Sequence, residues 1–281
     1  MKDKDLKIKI LAVIVNYGDE QIEYLNRMIF ELKNFVKYDV TIIVNSNIHI
    51  DNELIDKLNV LELEDYQLLP LTCKKEIWEN RNLFDYFIFS ENDHLFLEKH
   101  IDKFIEYTQI LPKNRIAGLI QYEEDDTGKY YPGYHHDFDW DFDSIEVYDD
   151  KVFAHFNNLH QASFIINKEQ LFRCNKIHDF TKLVHDLDGK ITLFIKKIIK
   201  KLLKKDFIKK TKYSVKCKVN TDVYQFCNMK KLICISEFND NLIHHMPNLY
   251  IKGEKGRNKF RSDSTRMENS INKILKNKKS F

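Results

Sequence analysis

The strongest constraint on this chain is a recurrence: a short apolar run, a polar cluster, then a helical pattern, repeated through its N-terminal part. Lys7 to Val15 (KIKILAVIV) has the length and content of a buried strand and closes on Asn16-Tyr17-Gly18. Asp39 to Val44 closes on Asn45-Ser46-Asn47, and Tyr86 to Ser90 closes on Glu91-Asn92-Asp93. Between the first two runs, Ile22, Leu25, Ile29, Leu32 and Phe35 fall at the spacing of an amphipathic helix. The pattern further predicts a short helix over Asn52–Leu58, a strand over Val60–Leu63, a loop opening a helix over Leu69–Trp78, and a helix over His100–Ile110. Strands alternating with helices imply an α/β fold, a mostly parallel, Rossmann-like sheet flanked by helices. In such sheets ligands collect at the carboxyl ends of strands, and all three polar clusters fall there.

After Pro112 the character changes. Ile116 to Tyr122 reads as one strand, followed by an acidic, aromatic stretch from Glu123 to Asp150. His155 to Ile166 is strand-like, Lys168 to Cys174 starts a helix, and Lys230 to Ser236 is a late strand. It leads to Leu242-Ile243-His244-His245-Met246-Pro247-Asn248. Residues 251–281 are polar and basic and read as a partly ordered C-terminal tail. The expected organisation is a single domain over 1–250 and a basic tail over 251–281. Within that domain the expected halves are 1–112 and 113–250, the second including the lysine-rich segment 191–205.

Charge is unevenly distributed. The net charge is +2, yet residues 190–218 carry twelve lysines and one acid, Asp206. Residues 251–281 carry ten basic and three acidic side chains, leaving 23 basic against 39 acidic on the rest. An acidic body with two basic appendages points to contact with an anionic surface. The segment ITLFIKKIIKKLLKK, 191–205, places isoleucine, leucine and phenylalanine on one half of a helical wheel and lysines on the other. That separation suits a helix lying in the interface of an anionic membrane, through residues 191–212. Nucleic acid is excluded as the partner, because the lysine face has no interleaved aromatics and the body would repel a polyanion.

The five cysteines include no CxxC pair, which argues against disulfides and zinc and for a reducing cytoplasm. The apolar run at the N-terminus is too short and too mixed with acids for a signal peptide, and no run reaches transmembrane length. The expected placement is therefore cytoplasmic, peripheral on the inner face of a membrane.

The triplet Glu91-Asn92-Asp93 carries the most chemistry. In extended backbone, side chains 91 and 93 share a face and 92 opposes them, with the two carboxylates about 6–7 Å apart. That spacing suits a hard divalent cation, Mn²⁺ or Mg²⁺, with positions left for phosphate oxygens. A solvated strand end has the same appearance.

An acid-x-acid triplet ending the fourth strand of an N-terminal α/β half resembles the nucleotide-sugar glycosyltransferases of the GT-A fold. The blocks DYFIFSENDHLF, GLIQYEED, NLHQASFIINKEQL and LIHHMPNLY are similar, in order, to a glycosyltransferase-like family. Its versions read roughly YDYFIYSEDDI, PGFLRYE, HQGAYIL and HHLPNKY. The resemblance covers Tyr86 to Tyr250, more weakly from residue 9, and the family has Asp where this chain has Asn92. It implies a metal held by Asp93, by Glu91 directly or through water or ribose, and by a late histidine, His245 in preference to His244. It implies a nucleotide-diphosphate sugar as donor, a UDP-sugar first, bound by the half 1–112, and a saccharide or lipid-linked acceptor bound by the half 113–250. A catalytically silent sugar-nucleotide or glycan-binding module on a membrane is the alternative.

Asn16, Tyr17 and Asn45 are candidates for the nucleotide, or simply turn residues. Arg81 suits a diphosphate better than Lys74 or Lys75, since its planar fork matches phosphate. Asp222, Glu123 and Asp240 are available as a base for the acceptor hydroxyl. In YHHDFDWDFDS, Asp137, Asp139, Asp141 and Asp143 alternate with Phe138, Trp140 and Phe142. Phe142 and Tyr148 stand where a calcium loop needs Gly and Glu, so the segment reads as a strand with one acidic and one aromatic face, a candidate acceptor wall.

Overall fold

The computed structural model describes residues 7–132, 140–184, 213–252 and 261–277. The helix expected at 191–205, the membrane-facing stretch 191–212, Asp137 and Asp139 lie outside the described residues.

The architecture is α/β with mixed sheets. Strand β1 (Ile8–Asn16) is buried from Ile10 onward on both faces, as a central parallel strand must be. Helix α1 (Ile22–Lys33) buries Leu25, Met28, Ile29 and Leu32, one stripe of its surface. Then come β2 (Tyr38–Ser46), β3 (Lys57–Val60), α2 (Leu69–Glu79) and β4 (Tyr86–Glu91). These four strands are mutually parallel, and β11 (Ser163–Asn167) adds antiparallel to β4, giving the order β11-β4-β1-β2-β3.

The second part of the chain builds two further sheets. One orders β6 (Arg115–Ala117), β12 (Lys230–Cys234), β10 (Lys151–Phe156) and β9 (Trp140–Tyr148) as β6-β12-β10-β9. The other uses β5 (His94–Leu95), β7 (Ile120–Asp125), β8 (Gly128–Pro132), β13 (Leu242–His245) and β14 (Arg261–Asp263), ordered β14-β8-β7-β13-β5. The remaining helices are α3 (Glu98–Ile110), α4 (Lys168–Ile177), α5 (Val215–Phe226), α6 (Leu249–Lys252) and α7 (Ser264–Asn277). One apolar cluster runs from Ile10 to Met246, and a second joins Trp140, Phe156 and Ile233 to Met267 and Ile274 of α7.

Several elements differ from the sequence pattern for identifiable reasons. Residues 52–56 form turns, not a helix, and β3 lies at Lys57–Val60 rather than 60–63. The Asn52 side chain accepts from Leu54 N at 2.9 Å, a local bond that competes with helix formation, and Asp56 is drawn to β2, where it accepts from Ile42 N at 2.7 Å. The helix expected to begin somewhere after Leu69 starts at Leu69 itself, with Pro70 in its first turn. The single strand predicted over Ile116–Tyr122 is two, parted at Gly118 into different sheets. There the buried Lys231 side chain occupies the space a Cβ would need. His155 to Ile166 likewise splits between β10 and β11, turning at Ala162 with φ of 49°. The segment expected to trail off as a tail supplies β14 and α7, whose Met267 and Ile274 are fully packed.

Candidate functional site

The central sheet switches direction beside β1. The chain runs outward from β1 to β2 and β3, then returns to place β4 on the other side of β1. At such a point two loops leave the carboxyl ends of neighbouring strands in opposite directions and open a crevice. A cleft of about 470 Å³ lies there, the size of a small-molecule site. Val15 and Tyr17 at the end of β1 and Glu91 and Asn92 at the end of β4 line it, with Tyr66, Pro70 and Lys216 closing the sides. Tyr17 is 62% exposed, and its ring centroid lies 5.4 Å from that of Tyr66. Gly18, at φ of +69°, lets the chain turn immediately after it. Lys216, in the first turn of α5, faces Glu91 across the cleft and is exposed. Burial, with the nearby Asp93 carboxylate, raises the Glu91 carboxyl to about 7.

Beside the cleft lies a buried carboxylate–imidazole cluster. Strand β4 stops at Glu91, the chain turns through Asn92-Asp93, and β5 begins at His94. Extended alternation therefore ends one residue too early for Glu91 and Asp93 to share a strand face. Asp93 instead meets His94 and His245, the three offering ligand atoms within 4.8 Å of one another. Its Oδ2 lies 3.1 Å from His245 Nε2 and its Oδ1 2.6 Å from His94 Nδ1. His245 is brought over by pairing of β13 with β5, opposite His94, and by Met246 N donating to Asp93 O. The other imidazole nitrogen of His245, Nδ1, sits 2.6 Å from Oε1 of fully buried Glu123. Glu123 also accepts from Tyr250 N at 3.0 Å and Ile251 N at 2.9 Å, tying down α6. The Gln121 amide contacts His94 Nε2.

Charge follows from that geometry. Burial alone would raise the Asp93 carboxyl, but His94 and His245 hold it well below the usual range. Burial works against protonation of His245, yet Asp93 and Glu123 overcome it and lift the imidazolium to about 10. Burial lowers His94.

The cluster also fits a divalent cation, which would take the place of the proton on His245 Nε2. Asp93 Oδ1 and His94 Nδ1 are buried and close, yet no hydrogen bond is directed between them. His245 has its Nδ1 held by a carboxylate, the arrangement that orients Nε2 toward a metal. One carboxylate and two imidazoles are a mixed donor set able to hold a divalent first-row metal such as Mn²⁺ or Fe²⁺.

The residues singled out from the sequence divide accordingly. Asp93 and His245 are brought together, with Glu123 as the partner of His245. Glu91 and Tyr17 line the cleft, and buried Asn16 lies under it. Glu91 is not part of the Asp93–His94–His245 cluster. His244 turns to the opposite face and stacks on Tyr122 at 5.0 Å. Asn45 is engaged away from the cleft, donating to Thr72 Oγ1 and accepting from Asn59. Arg81 lies past the C-terminal end of α2, where it donates to Trp78 O and covers the Trp78 ring at 4.5 Å. That is the far end of a helix roughly 16 Å long from the cleft-lining Pro70. Asp222 is buried in α5 and accepts from Val184 N; Asp240 pairs with Lys99 at 3.6 Å. Neither lines the cleft. Asp141 and Asp143 lie on β9, with Asp141 3.5 Å from Lys230.

Sequence reasoning missed His94, Gln121, Tyr66 and Lys216. His94 adjoins Asp93, and its adjacency was the available signal. Lys216 stands in a lysine-rich run that hides any single lysine.

No family model matches this chain, and no curated protein matches it. Among solved structures, S. aureus TarS aligns over 60% of this chain and 30% of its own, at 12% identity and a TM-score of 0.36. The chain thus spans under a third of the length of TarS, and a likeness so loose bears on neither the fold nor the activity.

Proposed function

We propose that this protein is a metal-dependent glycosyltransferase that takes a sugar from a nucleotide-diphosphate donor to a hydroxyl of a saccharide or lipid-linked glycan. The observation that carries the reading is the cleft at the β1/β4 switch point, with an aromatic pair at its mouth and the Asp93 cluster beside it. The four ordered sequence blocks support it independently.

In this reading Tyr17 and Tyr66 stack on the base, and Lys216 meets the negative charge of the diphosphate. Asp93, His94 and His245 would hold Mn²⁺ or Mg²⁺, and Glu123 would keep His245 aligned. A cation so held supplies Lewis acidity that lowers the energy of a departing diphosphate. Over the reaction the donor's bond between the anomeric carbon and the phosphate oxygen is replaced by one to the acceptor oxygen, and the acceptor's hydroxyl proton leaves to solvent or to the released diphosphate. Glu91, lining the cleft with a raised pKa, carries less negative charge there than an ordinary carboxylate and so repels the phosphates less. The first choice of donor is a UDP-sugar, and the proposed site of action is the cytoplasmic face of a membrane, reached through residues 191–212. Among the described residues no helix is long and apolar enough to cross a membrane.

One observation favours the alternative of a silent sugar-nucleotide-binding module: none of Asp222, Glu123 and Asp240 lines the cleft. A thermal-shift panel of nucleotide sugars, with and without Mn²⁺, tests the site, and release of nucleoside diphosphate with acceptor tests transfer. Metal-dependent stabilisation by one donor, lost in Asp93→Ala, supports the site. A flat panel rejects it, and binding without turnover selects the silent module.

A further inference from the structure

The motif position filled by Asn92 is buried, and its side chain points not at a metal but back into the sheet. Asn92 Nδ2 donates to Asn16 Oδ1 at 2.6 Å. Asn16 Nδ2 in turn donates to Gly18 O at 2.9 Å and to Ser46 Oγ at 3.1 Å. Ser46 Oγ also accepts from Ile48 N at 3.1 Å, and Gly18 N donates to Asn47 Oδ1 at 2.8 Å. One unbroken line of neutral hydrogen bonds thus stitches the ends of β4, β1 and β2 together, and Tyr17 sits inside the turn it closes.

We propose that Asn92 is a positioning residue: with Asn16 it latches the three strand ends and so fixes Tyr17 at the mouth of the cleft. The orientation of the Asn16 amide is set by Gly18 O, which can only accept. Asn16 must present its oxygen to Asn92, because its amide nitrogen is used by Gly18 O and Ser46 Oγ. Position 92 therefore has to donate. An aspartate there would set a carboxylate against the Asn16 carbonyl oxygen in a buried place. Turning the Asn16 amide over to meet it would set its oxygen against Gly18 O instead. A buried acceptor left facing an acceptor is costly, and a buried charge more so. The asparagine is accordingly matched to Asn16, and its presence is no sign of a weakened metal site. The consequence for nucleotide binding rests on the reading of the cleft given above; the latch itself does not.

The decisive variants are Asn92→Asp and Asn92→Ala in the full chain. Hydrogen–deuterium exchange of the free protein should show faster exchange over residues 16–18 and 46–48 in both, with Asn92→Asp the stronger and β12 unchanged as control. Uridine monophosphate should bind roughly tenfold more weakly to Asn92→Asp. In a Tyr17→Ala background that further loss should vanish, which a merely structural lesion would not produce. Unchanged exchange at 16–18 and 46–48 in Asn92→Ala overturns the latch, as does an Asn92→Asp chain that binds Mn²⁺ or nucleotide more tightly than the parent. If the parent binds no uridine monophosphate, the nucleotide reading falls while the exchange data still decide the latch.

Discussion

Asp93 and Glu123 bury two carboxylates, each within hydrogen-bond reach of the His245 imidazole between them, whereas Lys231 is buried with a backbone carbonyl and the face of an aromatic ring for company. Lys231 Nζ lies 3.4 Å from Leu159 O and 5.2 Å from the centroid of Tyr224. The results are opposite. The paired imidazole of His245 is lifted to about 10, while burial drops Lys231 to about 7. Burial acts against the charged form in both places, so the partners decide. A fold keeps charge where it supplies counter-charge. Where it supplies none, the ammonium gives up its proton and serves as packing.

The largest effect should come from removing a partner on the charged side. Glu123→Ala leaves the His245 imidazolium with one carboxylate and strips two backbone amides, Tyr250 N and Ile251 N, of their acceptor. Breaking a buried pair from one side costs about 3–5 kcal/mol, read from denaturant unfolding at neutral pH. A loss below about 1 kcal/mol would mean that water reaches this cluster and that its charges are solvated.

The lone lysine should respond in the other direction. Lys231→Met keeps the volume that Gly118 leaves room for and removes the charge; it should stabilise the protein by on the order of 2 kcal/mol at pH 6. The pH dependence has a definite sign. The folded pKa of about 7 lies below the unfolded 10.5, so the unfolded chain binds more protons between those values. Stability attributable to Lys231 rises with pH through that window, by up to about 1.4 kcal/mol per unit, and its penalty is complete below pH 7. The advantage of Lys231→Met should therefore shrink as pH rises above 7 and be gone within about two units. An advantage independent of pH would show that packing and not charge distinguishes the two regions.

These two regions also differ in how far the sequence revealed them. The run from Lys7 to Val15 and the triplet at Glu91 marked strand, strand end and site together, because a buried parallel strand must be apolar and its end must be polar. Asn92 turns away from Asp93 and bonds to Asn16, not because an extended strand alternates, as the sequence suggested, but because the chain turns at Asn92. The pairing of His245 with Asp93 depends on β13 meeting β5 across 152 residues of chain. Local periodicity carries no information about such a contact, and only the resemblance in the late histidine block hinted at it. Lys231 left no trace at all, since a lysine in a strand next to another lysine reads as surface. Arg81 was misjudged for the same reason: its chemistry suits phosphate, but α2 carries it away from the cleft.

Arg81 and Lys216 permit the finest test, because each is a cation beside a helix end and one of them faces the cleft. Lys216 has no ion-pair partner among the described residues, whereas Arg81 is spent on the Trp78 ring and carbonyl. Lys216→Ala should weaken binding of uridine diphosphate roughly three- to tenfold, since one lost charge contact is worth about 1 kcal/mol near a solvated surface. It should change uridine monophosphate much less, because the second phosphate brings the extra charge that Lys216 meets. Arg81→Ala should leave both affinities unchanged and cost about 0.5–1 kcal/mol of stability through the lost stacking. Calorimetric titration of both variants with both nucleotides reads all four values. Equal losses for the two nucleotides in Lys216→Ala would place that lysine away from the terminal phosphate. A loss of affinity in Arg81→Ala would mean that a phosphate reaches beyond the cleft along α2.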